Sequence, residues 1–210
     1  MKTKSSHKKT LTMVQIALFC AIVAVLQLFF ANIRIGVVTL SFTLVPIVIA
    51  GIFIGPWAGF FVGLFSGILT FIQVFTSGDP FYVFLMASHP VVTAFLCMVK
   101  TSAAGLLAGL AYRFLRTKTK HPTLNTLLPA FVCPVVNTGI FCLTMLLIYG
   151  KDLTLDPNFG AAASTGLVAF VFIGLVGVNF IFEVLLNTIV CPVLSRALFA
   201  TNLFDKAEND

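Results

Sequence analysis

The chain is 210 residues long, 59% apolar and only 10% charged, with a mean hydropathy of +1.07, whereas a soluble globular protein is roughly 45–50% apolar and about 25% charged. Twenty-three Phe against seven acidic side chains leave too little polar surface to cover a water-soluble globule, which excludes a soluble enzyme. The formal charge of +6 would suggest nucleic acid if it were spread over a soluble surface, but the Lys and Arg residues gather at the borders of apolar runs instead.

Residues 1–10 form a basic tail carrying Lys2, Lys4, Lys8 and Lys9. The apolar run Leu11 to Ala31 has about the 20 residues that a helix needs to cross a bilayer. No small-x-small site leads from it into a soluble region, so it reads as a retained span rather than a signal peptide. Further spans are expected at 37–55, 57–76, 87–115, 124–149 and 163–199, the last long enough to tilt or extend past the bilayer. Between them lie Asn32 to Val38, the tight Gly55-Pro56-Trp57, then Ser77-Gly78-Asp79-Pro80, the basic stretch Thr117 to Thr123, and Gly150 to Ala163 with Lys151, Asp152 and Asp156. Pro80 and Pro90 bracket a segment too short to span, which predicts a short surface or re-entrant helix there. Residues 11–199 thus form a single transmembrane domain, followed by a tail at 200–210.

An even number of spans puts both termini on one side, and positive charge chooses the side. One set of loops and tails holds Lys2, Lys4, Lys8, Lys9, Arg113, Arg116, Lys118, Lys120, Arg196 and Lys206, whereas the opposite set holds only Arg34 and Lys151. The expectation is an all-α integral membrane protein with six transmembrane helices and both termini cytoplasmic. The loops facing outward are the longer ones and are suited to lid a site.

Small residues recur at helical spacing: Gly55, Gly59, Gly63 and Gly67 in the third span, Gly105 and Gly109 in the fourth. Without Cβ atoms, backbones approach closely in lipid, so these positions predict helix packing. Ala17 and Ala21 stand four apart in the first span among large side chains, a stripe on which another subunit would dock. Cys20, Cys97, Cys133, Cys142 and Cys191 all lie inside apolar runs, so no disulfide is predicted. The repeated Cys133-Pro134 and Cys191-Pro192 pairs are read as buried small hydrophobes.

The chain has no Gly-x-x-x-x-Gly-Lys-[Ser/Thr] loop, so it does not itself hydrolyse ATP by that route. It lacks His-Glu-x-x-His and Gly-x-Ser-x-Gly, and its three His, at 7, 89 and 121, are too scattered for a metal site. No metal and no cofactor is expected. The ionisable residues within spans are the stronger signal, because Lys100 and Glu183 facing lipid would each cost about 2.5–3.5 kcal/mol or more. Both should face inward. Asn179, Glu183 and Asn187 follow one another at i, i+4 and i+8 and share one helix face. Asn137, Gln73 and His89 are candidates to line the same cavity, where a small polar solute would sit. The alternative is that Lys100 and Glu183 pair with each other while the asparagines bridge helices.

The basic start, Ala17-x-x-x-Ala21, Ile54-Gly55-Pro56-Trp57-Ala58-Gly59, Leu106-Leu107-Ala108-Gly109-Leu110 and the run Asn179 to Pro192, in this order over nearly the whole chain, resemble the substrate-binding S component of an energy-coupling factor (ECF) transporter. The resemblance implies a multi-pass protein of a bacterial plasma membrane that captures a vitamin or similar micronutrient outside. It also implies a transmembrane coupling subunit and two cytoplasmic ATPase subunits as partners, with toppling in the membrane to release the cargo. Carried over, Ala17 and Ala21 take the docking role, and Lys100, Asn137, Asn179 and Glu183 come near the ligand. A cationic Lys100 would suit an anionic ligand, so a carboxylate vitamin such as pantothenate is the first choice, with folate, riboflavin, other B vitamins and a queuosine precursor as the alternatives. The alternative function is a stand-alone facilitator or proton-coupled carrier in which Glu183 or Lys100 titrates; such folds usually have repeated halves, and the Cys-Pro echo is the one trace of them.

Overall fold

The computed structural model describes residues 2–30, 41–119 and 121–200, and regular structure among them is entirely helical. The Asn32 to Val38 loop with Arg34, the first residues expected of the second span, Lys120 and the tail with Lys206 lie outside the described residues.

Helix α1, Lys2–Phe30, joins the basic tail and the first span in one rod. Its apolar part, Lys9–Phe29, is one of five helices among the described residues that are long and apolar enough to cross a membrane. The others are α3 (Pro56–Thr76), α5 (Pro90–Lys118), α6 (Pro122–Leu147) and α10 (Gly177–Ala200). The expected second span is shorter than the sequence suggests. Helix α2 covers only Leu44–Phe53, and its ten residues rise about 15 Å, half of a hydrocarbon core of about 30 Å. Every residue from Leu44 to Ile52 is buried, so α2 is apolar all round because protein surrounds it.

The segment between Pro80 and Pro90 forms α4, Pro80–Ser88. Gly78 ends the preceding turn at φ 63°, Asp79 Oδ1 accepts the Phe81 and Tyr82 N–H groups at 2.8 and 3.3 Å, and Pro80 occupies the first turn, where its missing donor costs nothing. The expected sixth span is not one continuous rod. Helix α7 (Gly150–Leu155), α8 (Gly160–Thr165), the single turn α9 (Leu167–Ala169) and a π-helical turn at Phe170–Leu175 lead into α10. The breaks fall at Gly166 and at Val176-Gly177, where weak helix formers let the chain turn.

Helices α2, α3 and α5 meet along the predicted glycines. A Cβ placed at Gly59 would lie 2.5 Å from Gly105 O, and one at Gly67 would lie 2.5 Å from Cys97 O. The two backbones therefore touch, as glycine spacing in lipid favours. Gly55, at φ 134°, makes the sharp turn between α2 and α3 that only glycine adopts without strain.

The ends of the bundle differ. Gln27 near the end of α1 hydrogen-bonds Thr70 and Gln73 near the end of α3, so these helices run parallel. The Phe53 and Phe199 rings meet with centroids 4.6 Å apart and planes tilted by 43°, and Gly109 abuts Pro56. The start of α1, the α2–α3 turn, the end of α5 and the end of α10 thus share one end, together with Arg113, Arg116, Lys118 and Arg196. The opposite end carries α4, α7 and α8. A core with Val23, Ile47, Val48, Val62 and Ala104 fills the basic end, and an aromatic core with Phe81, Phe84, Phe141 and Tyr149 fills the other.

Candidate functional site

A cavity opens beneath the aromatic core, walled by α1, the approach to α2, α3, α4, α5, α6 and the first turns of α10. Its volume is about 70 Å³, several times what a single water needs. Phe42, Phe81, Phe141 and Phe180 give it apolar walls, and polar groups from several helices converge between them. An apolar cleft with a few convergent polar groups is the usual form of a small-molecule site.

Five of the six candidate ligand residues, Gln73, Lys100, Asn137, Asn179 and Glu183, line this one cavity from four helices. Lys100 projects from α5 with its Nζ 5.5 Å from the centre of the Phe141 ring, a distance at which the ring face attracts a cation. Glu183, only 5% exposed, enters from α10 and accepts the Ser41 N–H at 3.1 Å. Lys100 and Glu183 make no direct ion pair, although they share the cavity. Asn137 of α6 and Asn179 of α10 are each 4% exposed. Asn187, the third polar residue on the Glu183 face, lies outside the lining: its Nδ2 donates to the Glu183 carbonyl at 2.8 Å, and its Oδ1 stands 3.7 Å from Cys191 Sγ.

His89 stands apart from the lining, at the junction of α4 and α5. Its Nε2 is 3.0 Å from Asp152 Oδ2 in α7. Tyr149, fully buried beside it, donates its hydroxyl to the His89 carbonyl at 3.1 Å and lies 2.8 Å from the Thr93 hydroxyl. This knot ties the α4–α5 junction to the α6–α7 junction. It braces one wall of the cavity, because α4 supplies Phe81, Tyr82 and Leu85 to the lining.

Sequence reasoning missed Gln27, Ser41, Thr70, Thr101 and Thr138, which also line the cavity. Gln27 carried a signal, as an amide inside an apolar span, whereas Ser and Thr carry little, since their hydroxyls satisfy themselves on their own helix. Thr70 does so on Ser66 O at 2.9 Å and Thr101 on Cys97 O at 3.0 Å. Gln27 Nε2 donates to Gln73 Oε1 at 2.8 Å and to Thr70 Oγ1 at 3.0 Å, and Gln73 Nε2 returns a bond to the Gln27 carbonyl at 3.2 Å. These bonds clamp α1 to α3 at the cavity wall.

The proposed docking alanines lie far from this site in character. Ala17 and Ala21 are exposed on α1, in a row with the exposed Met13, Val14, Leu18, Ile22 and Val25.

The cavity combines a cation, a carboxyl group, amides and hydroxyls in an apolar frame, which is equipment for holding a small polar molecule. The family model "ECF transporter, substrate-specific component" matches residues 11–195. No curated protein matches the chain. Proteins of that family are substrate-binding membrane subunits rather than ATPases, and the multi-helix membrane fold with a cavity lined by several polar side chains agrees with that description. By a match that runs from the first span into the last, the chain belongs to the family of ECF transporter substrate-specific components.

Proposed function

We propose that this protein is the substrate-capture subunit of an ECF-type importer in a bacterial plasma membrane, and that its cargo is an anionic vitamin-like molecule, pantothenate first. The molecule enters from the end that carries α4, α7 and α8, which faces outward, and both termini face the cytoplasm. Lys100 neutralises the carboxylate, while Gln73, Asn137, Asn179 and Glu183 hydrogen-bond the rest. His89 serves at the entrance, where it braces α4. A coupling subunit docks on the Ala17 and Ala21 face, and two ATPase subunits energise release.

The observation that carries this reading is the convergence of Lys100 and Glu183 from different helices on one cavity without pairing to each other. Lys100 is half-buried within a span, where charge is costly, and a ligand that bridges the cavity supplies it with a counter-charge. The basic residues at the opposite end of the bundle support the orientation.

The test is calorimetric titration of the purified protein with pantothenate in nanodiscs. Binding is expected, and Lys100→Met should weaken it about ten- to a hundredfold, the equivalent of a charge-assisted contact of about 1.5–3 kcal/mol. Native affinity in the Lys100→Met protein would remove the ligand role from Lys100.

A further inference from the structure

Helix α1 is the least embedded of the five spanning helices, and different chemistry holds its two ends. From Lys9 to Phe29 only Phe19 and Val23 are buried. Together with Ile16 and Cys20 they make an i, i+3, i+4, i+7 stripe that packs into the core of the basic end. None of the described α1 residues joins the aromatic core at the other end.

Beyond Val23 the inward face of α1 changes character. Leu26 and Gln27 line the cavity, while Val25, Leu28 and Phe29 are exposed. Here α1 meets α3 through the polar clamp, in which Gln27 Nε2 donates to Gln73 Oε1 and Thr70 Oγ1, and Gln73 Nε2 donates to the Gln27 carbonyl.

The two attachments differ in what their separation costs. Phe19 and Val23 are enclosed by side chains of the bundle, and withdrawing them leaves a void whose lining loses its contacts. The clamp consists of amide and hydroxyl groups on residues that line a cavity with room for several waters. Water replaces such bonds as the helices part, so giving them up costs little. One end of α1 is anchored, the other is releasable, and the cavity lies behind the releasable end.

We infer that the outer end of α1 swings away from α3 about the Phe19 and Val23 anchor, that Gln27, Gln73 and Thr70 form the latch, and that cargo passes through the gap. The gap opens at the end of the bundle that carries α4, α7 and α8. The passage of cargo rests on the reading of the cavity as the capture site, whereas the movement of α1 does not. Gln27 is a positioning residue, acting through the wall that it holds in place.

The test needs no cargo and uses the full chain in nanodiscs, with the native cysteines replaced. Nitroxide labels at Leu28→Cys and Phe95→Cys, both exposed positions, read the distance from the outer end of α1 to α5 by double electron–electron resonance. A second pair at Val14→Cys and Phe114→Cys, also exposed, reads the basic end. Gln27→Met removes both bonds that Gln27 Nε2 donates, so a longer distance should gain population at the outer pair while the basic pair stays unchanged. In a separate protein Lys100→Cys puts a thiol on the cavity wall, and its labelling by a hydrophilic methanethiosulfonate is followed by mass spectrometry. Gln27→Met should speed that labelling about tenfold. Thr70→Val, which removes one bond of the latch from the α3 side, should give a smaller rise in the same direction.

An outer distance that Gln27→Met and Thr70→Val both leave unchanged would overturn the inference, and so would equal changes at the two ends of α1. A longer outer distance with an unchanged labelling rate would overturn it too, because the movement would then not open the cavity. If labelling follows the latch while pantothenate fails to bind, the cargo assignment falls and the swinging wall stands. If pantothenate binds and labelling ignores the latch, the wall falls and the cargo assignment stands.

Discussion

Tyr149 and Asp152 show how differently two polar contacts in one knot contribute. The His89–Asp152 pair is near the surface, with side chains 42% and 37% exposed, and solvent screens it. Pairs of that kind contribute about 0–1 kcal/mol, so Asp152→Asn should leave the melting curve nearly unchanged. The Tyr149 hydroxyl is different, because the residue is fully buried and its O–H serves both the His89 carbonyl and Thr93. Tyr149→Phe leaves polar atoms buried with fewer partners and should destabilise by about 1–3 kcal/mol. Thermal unfolding of the two variants checks the order; equal losses would mean that the exposed ion pair holds α4 to α7 as strongly as the buried hydroxyl does.

At the scale of elements, the glycines of α3 and α5 predict opposite outcomes for the same chemical change. Gly105→Ala would bring a Cβ to 2.7 Å from Ile47 Cγ2 and closer still to the Gly59 carbonyl, so the helices must part, at about 1–3 kcal/mol. Gly139, inside α6, has nothing within 4 Å of a built Cβ. There Gly139→Ala should stabilise by about 0.8–1.0 kcal/mol, the helix propensity that glycine gives up. Melting temperatures in detergent should therefore move in opposite directions, and a loss at both sites would contradict the open space beside Gly139. The seam was legible in the sequence because Gly59, Gly63 and Gly67 repeat every fourth residue, a spacing that sets one helical face. The α4 segment was legible from its two prolines. The length of α2 was not, since a short helix enclosed by protein and a full span in lipid are both apolar on every side. The break in the last span was also hidden, because Gly166 and Gly177 sit in a run whose hydropathy never drops. Within the site, Lys100 and Glu183 stood out through the cost of their charge, while Thr70, Thr101 and Thr138 are indistinguishable in sequence from threonines that satisfy their own helix.

For the whole molecule, two predictions concern orientation and assembly. With the native cysteines replaced, Lys118→Cys at the basic end should resist an impermeant thiol reagent on intact cells, while Asn158→Cys, exposed beyond α7, should react. The reverse pattern would invert the proposed topology and carry the cavity to the cytoplasmic side. On α1, the exposed Ala17 and Ala21 lie about 80° and about 120° around the helix from Gln27, counted at about 100° per residue. A partner helix can therefore approach the alanine face while Gln27 keeps its contacts with α3. Ala17→Trp should leave the affinity for pantothenate intact and abolish its uptake in cells that supply the coupling and ATPase subunits, because the bulky ring holds the backbones apart. Uptake at the native rate would remove that face from the docking role.

The backbone contact between α3 and α5 also separates what in this protein is free to vary from what is not. Along the seam every side chain larger than hydrogen collides with main chain, which has no rotamer to offer in response, so the scaffold tolerates almost no substitution there. Around the cavity side chains rather than main chain meet the open space, and none of the seam glycines is among the described lining residues. Single replacements at positions such as Asn137 or Thr138 can therefore change the lining while the frame that carries them stays unchanged.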